Sequence, residues 1–114
     1  MTIDLPRPIA DYFAAKNRHD IDAMLAPFAA DATVRDEGRT YTGHAAIRSW
    51  MEETTRKYRV TVEPTEASSD GQNWRVAALV AGDFPGSPAT LPYRVSLAGE
   101  RIARPGVRPI PPRP

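Results

Sequence analysis

Cysteine is absent from the 114 residues, which excludes disulfides, thiol catalysis and every cysteine-ligated metal site. That composition fits a reducing compartment, and a cytoplasmic location is expected. No apolar run approaches the ~20 residues a membrane span needs, so no membrane partner is expected. The opening "MTIDLPRPIADYF" lacks the basic start and apolar stretch of a secretory leader. Charge of one sign is scarce as well. The net charge is +1, and residues 105–114, "PGVRPIPPRP", carry two arginines and no acid, which leaves residues 1–104 near −1. A nearly neutral body without a basic stripe excludes nucleic acid as the main partner. Trp50 and Trp74 are not interleaved with basic residues as a base-stacking platform would be. The only histidines, His19 and His44, make no recognisable metal set. Gly-rich phosphate loops and nucleophile elbows are missing. Neither a metal nor a cofactor is expected.

What is present is enough for one domain, since a chain of this length buries roughly 65% of its unfolded surface. Three segments carry a helical period. "LPRPIADYFAAKN" sets Leu5, Ile9, Tyr12, Phe13 and Lys16 along one face, with prolines only near the start, where they are tolerated. "DIDAMLAPF" offers Asp20 as an N-cap and then Ile21, Met24, Leu25 and Phe28 at helical offsets. "TGHAAIRSWMEETTRKY" puts Ile47, Trp50, Met51, Thr54 and Tyr58 on one side.

After Tyr58 the period changes to two. Val60 and Val62 share a face in "YRVTVEP". In "NWRVAALVAG", Trp74, Val76, Ala78 and Val80 face one way, with Arg75, Ala77, Leu79 and Ala81 facing the other. Leu91, Tyr93, Val95 and Leu97 line one face of "LPYRVSL". "SSDGQ" reads as a tight turn and "GDFPGSP" as a longer loop between these strands. The order is therefore helix, helix, one short strand, helix, then a meander of strands. It predicts an α+β fold with helices on one face of an antiparallel sheet. The outer face of that sheet, with Leu79 and Ala81, needs cover, and a homodimer through the sheet is expected.

These motifs carry a resemblance. The stretch "YFAAKNRHDIDAMLAPFAADATVRDEGRTYTGHAAIRSWMEE" resembles the nuclear transport factor 2-like superfamily, and within it the SnoaL-like and ketosteroid isomerase-like branches. The matching features are the aromatic-rich first helix, "N-x-x-D-x-D-x-M-L", "F-A-x-D-A-T-V" and "G-x-x-A-I-R". The later "GDFPGSP" and "LPYRVSLAGERIA" resemble the closing strands of small SnoaL-like proteins, so the likeness runs from about residue 6 to 104. It implies a cone-shaped curved antiparallel sheet wrapped around three N-terminal helices, a pocket for a small hydrophobic molecule, and commonly a dimer. The superfamily holds isomerases, cyclases and binding modules, so the fold alone assigns no reaction.

Within the resemblance, Asp36 and Tyr12 hold the positions of the general base and oxyanion donor of ketosteroid isomerases. The period of "ATVRD" sets Asp36 on the face of Val34, which should point inward. Such chemistry needs a base beside the reacting carbon and a donor aimed where charge develops. A carboxylate in such an apolar site is expected to titrate above ~3.9. Met24, Phe28, Trp50, Phe84 and Tyr93 are the expected ligand-binding residues. The plainer readings stay open: Asp-Glu-Gly is good turn chemistry, and a tyrosine at helical spacing with Ile9 and Phe13 can be core. The isomerases' second donor, an acid on a later strand, falls near Pro92 or Tyr93, where only the Tyr93 hydroxyl could serve. The catalytic acid of polyketide cyclases has no counterpart in "RIARP".

Two function classes follow. One is an isomerase-like enzyme doing acid–base chemistry on a carbonyl compound. The other is a non-catalytic small-molecule-binding or dimeric scaffold protein. Residues 1–104 form the expected domain. In 105–114 five of ten residues are proline, which predicts an extended, disordered tail, with Pro105 stopping the last ladder.

Overall fold

The computed structural model describes residues 4–36, 38–99 and 101–109, with Asp36 and residues 104–109 described by backbone alone. Helix α1 spans Arg7–Asn17, with a proline in its first turn, where the missing N–H costs nothing. Its apolar stripe buries Ile9, Tyr12 and Phe13. Helix α2, Ile21–Leu25, starts at Asp20, whose carboxylate accepts from the Ala23 N–H at 3.2 Å. It ends before Phe28 because Pro27 cannot donate the next rung. Strands β1 (Thr33–Asp36) and β2 (Arg39–Thr42) form a hairpin, with Asp36 opposite Arg39. Gly38, at φ +78°, supplies the left-handed conformation its turn requires. The sequence reading foresaw one short strand here; four residues of β2 are too few to display a period and are held by pairing to β1. Helix α3, Gly43–Tyr58, buries Ile47, Trp50 and Met51.

The remaining chain is a meander of β3 (Thr61–Asp70), β4 (Asn73–Ala81), β5 (Ala89–Ala98) and β6 (Arg101–Pro109), ordered β3-β4-β5-β6 and antiparallel throughout. This is the expected α+β architecture, a curved and open sheet against three helices. The inner face carries Val62, Val76, Ala78, Val80, Tyr93 and Val95, all buried in one cluster with the helices. One expectation needs correcting: Pro105 does not end the ladder. Pairing of β6 to β5 runs through Ala98–Arg101 and Leu97–Ile102, loses register, and resumes at Val95–Val107 as far as Tyr93–Pro109. The step from Val95 to Leu97 on β5 is matched by the longer step from Ile102 to Val107 on β6. A bulge in the last strand of the sheet order accommodates a proline that a central strand would reject. Residues 110–114 of the expected tail lie outside the described residues.

Two polar devices join helices to sheet. The Asn17 amide donates to Val62 O at 2.8 Å and accepts from Val62 N–H at 2.6 Å, so the end of α1 acts as a short extension of the ladder beside β3. The β4–β5 loop is pinned at Gly82, next to which Asp83 N–H donates to Tyr58 O at 2.7 Å. A Cβ at Gly82 would stand 2.6 Å from Tyr58 O and 2.7 Å from Val60 Cγ1. Gly82→Ala is therefore expected to lower stability by about 1–3 kcal/mol, the usual range for forced overpacking. Thermal denaturation should register it as a fall in Tm, and an unchanged Tm would mean the β4–β5 loop yields freely. Among the described residues no helix is long and apolar enough to cross a membrane.

Candidate ligand site

The inward faces of α1 and the sheet meet in an aromatic cluster. Tyr12 is 1% exposed, and its ring lies edge-on to Phe13 at 5.3 Å and to Phe28 at 5.7 Å between centroids. Phe13 in turn meets Tyr93 edge-on at 5.2 Å. Each contact has the T-shaped geometry that ring quadrupoles favour. Lys16, one turn beyond Tyr12, holds its Nζ 5.9 Å from the Tyr12 ring centroid, within cation–π range. At the α3 side Trp50 is buried and packs at 6.1 Å against the half-buried ring of Tyr41 on β2.

The expected ligand-binding residues are brought together. Met24, Phe28, Trp50 and Tyr93 belong to the same buried cluster as Tyr12, and Phe84 from the β4–β5 loop packs against its margin. Asp36 ends β1 two residues beyond the fully buried Val34; its side chain lies outside the described residues. Tyr41 was not singled out from the sequence, because a lone aromatic in a short strand gives no periodic signal. His44 Nε2 lies 2.9 Å from Phe28 O. A carbonyl can only accept, so Nε2 carries the proton in this contact, and the first turn of α3 is tied to the residue beneath the Tyr12 ring.

Among the described residues, three clefts open elsewhere on the surface. One of about 640 Å³ lies between α1, α2 and the start of β6 and is lined by Arg7, Arg18 and Arg101 among others. Two more, of about 470 and 440 Å³, lie on the four-stranded sheet and share Arg75. None of the three is lined by Tyr12, Met24, Phe28, Trp50, Phe84 or Tyr93.

An open curved sheet closed over by three helices, with an apolar aromatic interior, defines a protein of the nuclear transport factor 2-like class. The chain belongs to the SnoaL-like domain family, whose model matches residues 9–104. Among solved structures, a Sinorhizobium meliloti protein described as a candidate polyketide cyclase is 38% identical, covering 94% of this chain and 96% of that one, with a TM-score of 0.87. A hypothetical Catenulispora acidiphila protein with a ketosteroid isomerase-like fold, solved in complex with trimethylamine, is 26% identical over 95% of this chain and 87% of that one, with a TM-score of 0.78. A nuclear transport factor 2-like protein of unknown function from Cytophaga hutchinsonii shares the fold at 13% identity, covering 96% and 91% of the two chains with a TM-score of 0.74. Among curated proteins, none matches this chain.

Proposed function

We propose that this protein binds a small hydrophobic carbonyl compound within the curve of its sheet and moves a proton on the carbon beside the carbonyl. In this reading the Asp36 carboxylate accepts the proton and the Tyr12 hydroxyl donates a hydrogen bond to the oxygen on which charge develops. The observation that carries it is Tyr12: a phenol fully inside the fold, on the helix face that meets the sheet, among rings that exclude water. A phenylalanine would satisfy the packing equally, so the hydroxyl is the informative part. The period of β1 supports Asp36 on the side of Val34. The 38% identical relative described as a candidate polyketide cyclase is compatible with the same elementary step. Proton abstraction next to a carbonyl begins both double-bond isomerisation and aldol ring closure. Isomerisation is the preferred outcome because the stretch Arg101–Arg104 of β6 contains no acid for the cyclase pattern.

The test is to supply a β,γ-unsaturated ketosteroid and follow the conjugated-enone absorbance, with binding measured in parallel by fluorescence of Trp50 and Trp74. Turnover supports the enzyme. Binding without turnover favours the second reading, a non-catalytic binding protein, for which the dense packing of Met24, Phe28 and Trp50 in one cluster speaks. Neither binding nor turnover would sink the carbonyl-ligand proposal.

The functional unit in this reading is a homodimer formed through the outer face of the four-stranded sheet. Leu79, on that face, is 40% exposed and is the exposed large apolar side chain among the described residues. Light scattering at micromolar concentration is expected to give particles of twice the 12.5 kDa chain mass. Particles of the single-chain mass throughout the range would overturn the dimer.

A further inference from the structure

Helix α1 carries a second stripe. Arg7, Asp11, Ala14 and Arg18 recur at helical spacing on the side opposite Ile9, Tyr12 and Phe13, and all four are exposed. This stripe forms one wall of the cleft of about 640 Å³. The other wall comes from α2 and the residues just after it, where Ala23, Ala26 and Pro27 present short side chains. Arg101 is set beside Pro27, because the next residue, Ile102, donates its N–H to Pro27 O at 2.9 Å. Bulkier residues at Ala14, Ala23 and Ala26 would fill the space between the two helices, whereas alanine leaves it open. The result is a trough with an apolar floor and a charged rim. Its volume falls within the ~300–1,000 Å³ that small-molecule sites span.

The rim is electrically unbalanced. Its three arginines, Arg7, Arg18 and Arg101, face one aspartate, Asp11, which leaves two positive charges. Asp11 lies 3.7 Å from Arg7, while Arg18 and Arg101 make no ion pair among the described residues. A guanidinium presents a planar fork of donors that fits a carboxylate or a phosphate two bonds at a time. We propose that this cleft binds a small organic dianion, an apolar body carrying either two carboxylates or one phosphate monoester. The body lies on the alanine and proline floor, and Arg18 and Arg101 take the charge. A monoanion would leave one of these arginines unanswered, and a bare inorganic anion would leave the floor uncovered. The inference is independent of the carbonyl chemistry proposed above, since Tyr12 lies outside the lining of this cleft.

The experiment is calorimetric titration of the full chain with 2-naphthyl phosphate and with 2,6-naphthalenedicarboxylate. The controls are 2-naphthoate, which has the body and one charge, and inorganic phosphate, which has the charge and no body. At least one dianion is expected to bind about 10-fold or more tighter than either control, the usual worth of one further charge-assisted contact. A tighter phosphate means that Arg18 and Arg101 converge on one group, and a tighter dicarboxylate means that they hold separate ends. Arg18→Ala and Arg101→Ala are each expected to weaken that binding about 10-fold. Ala26→Leu fills the trough without touching a charge and should weaken it at least as much. All three positions are exposed, so the unfolding midpoint should stay near that of wild type. Should Ala26→Leu disturb the fold, Ala14→Leu fills the same trough from the α1 side. Dianions that bind no tighter than 2-naphthoate would overturn the proposal. Unchanged affinity in either arginine variant, or in the folded trough-filling variant, would overturn it as well, because the ligand would then sit elsewhere.

Discussion

Replacing Phe28 by alanine is expected to lower the free energy of unfolding by about 3–5 kcal/mol, the range for truncating a buried aromatic ring. The side chain is 0% exposed and lies edge-on beneath Tyr12. Its backbone is also a junction. Phe28 bridges in parallel to Ile102, the neighbouring Ala29 N–H donates to Ile102 O at 2.8 Å, and Ile102 N–H donates to Pro27 O at 2.9 Å. The Phe28 carbonyl receives His44 Nε2. Those main-chain bonds survive the substitution, so the loss falls on packing alone, and two-state unfolding should persist. Urea denaturation is then expected to show a lower midpoint with an unchanged slope. Phe28→Leu, which refills most of the volume, should lose well under half as much. A loss below about 1 kcal/mol for the alanine variant would mean that the interior already leaves room at this position. In that case Phe28 lines open space, and a hydrophobic ligand should be sought there.

How much of this was legible beforehand depends on which physical signal each element carries. Helices α1 and α3 announce themselves because a stripe such as Ile9, Tyr12, Phe13 or Ile47, Trp50, Met51 repeats with the helical period and is buried as that period requires. The β4 and β5 faces were equally readable: Val76, Ala78 and Val80 are buried, and Leu79 is exposed. The Asp20 cap, too, is a local matter, settled within three residues. What escaped is what depends on a distant partner. Strand β2 exists through β1. The Asn17 clamp joins residues 45 apart in sequence, and an asparagine at a helix end reads as an ordinary terminator. The continuation of β6 past Pro105 was missed for a related reason. A proline removes one donor, but the strand's place in the sheet decides whether that donor was needed, and the order β3-β4-β5-β6 leaves β6 at the end. The pairing of Arg75 on β4 with Arg94 on β5 is a matter of register, which no single strand reveals. The site occupies a middle position. Periodicity supplies the candidates Tyr12, Met24 and Trp50, and only the fold gathers them into one cluster.

Asp36→Asn is expected to reduce turnover of a β,γ-unsaturated ketone to background, a loss of about 10²–10⁴-fold if a general base is removed, while ligand affinity changes little. The substitution is nearly isosteric, so a role confined to the hairpin turn would predict something different: asparagine is itself a good turn residue, and activity would be kept. Tyr12→Phe offers the complementary case. It retains the ring that meets Phe13 and Phe28 edge-on, so the packing and the unfolding midpoint should be largely preserved. It removes only the hydroxyl, and the loss of one donor to a developing oxyanion is worth ~10²–10³ in rate. On the proposed mechanism the two substitutions touch one transition state from opposite ends, base and donor, so their effects should be less than additive when combined, as for groups that act as a unit. A double variant no slower than Asp36→Asn alone would fit that expectation. Wild-type turnover in Asp36→Asn would remove Asp36 as the base whatever Tyr12 does. Loss of stability in Tyr12→Phe comparable to that of Phe28→Ala would instead assign the hydroxyl to the fold, and the phenol would then stand as core rather than as donor.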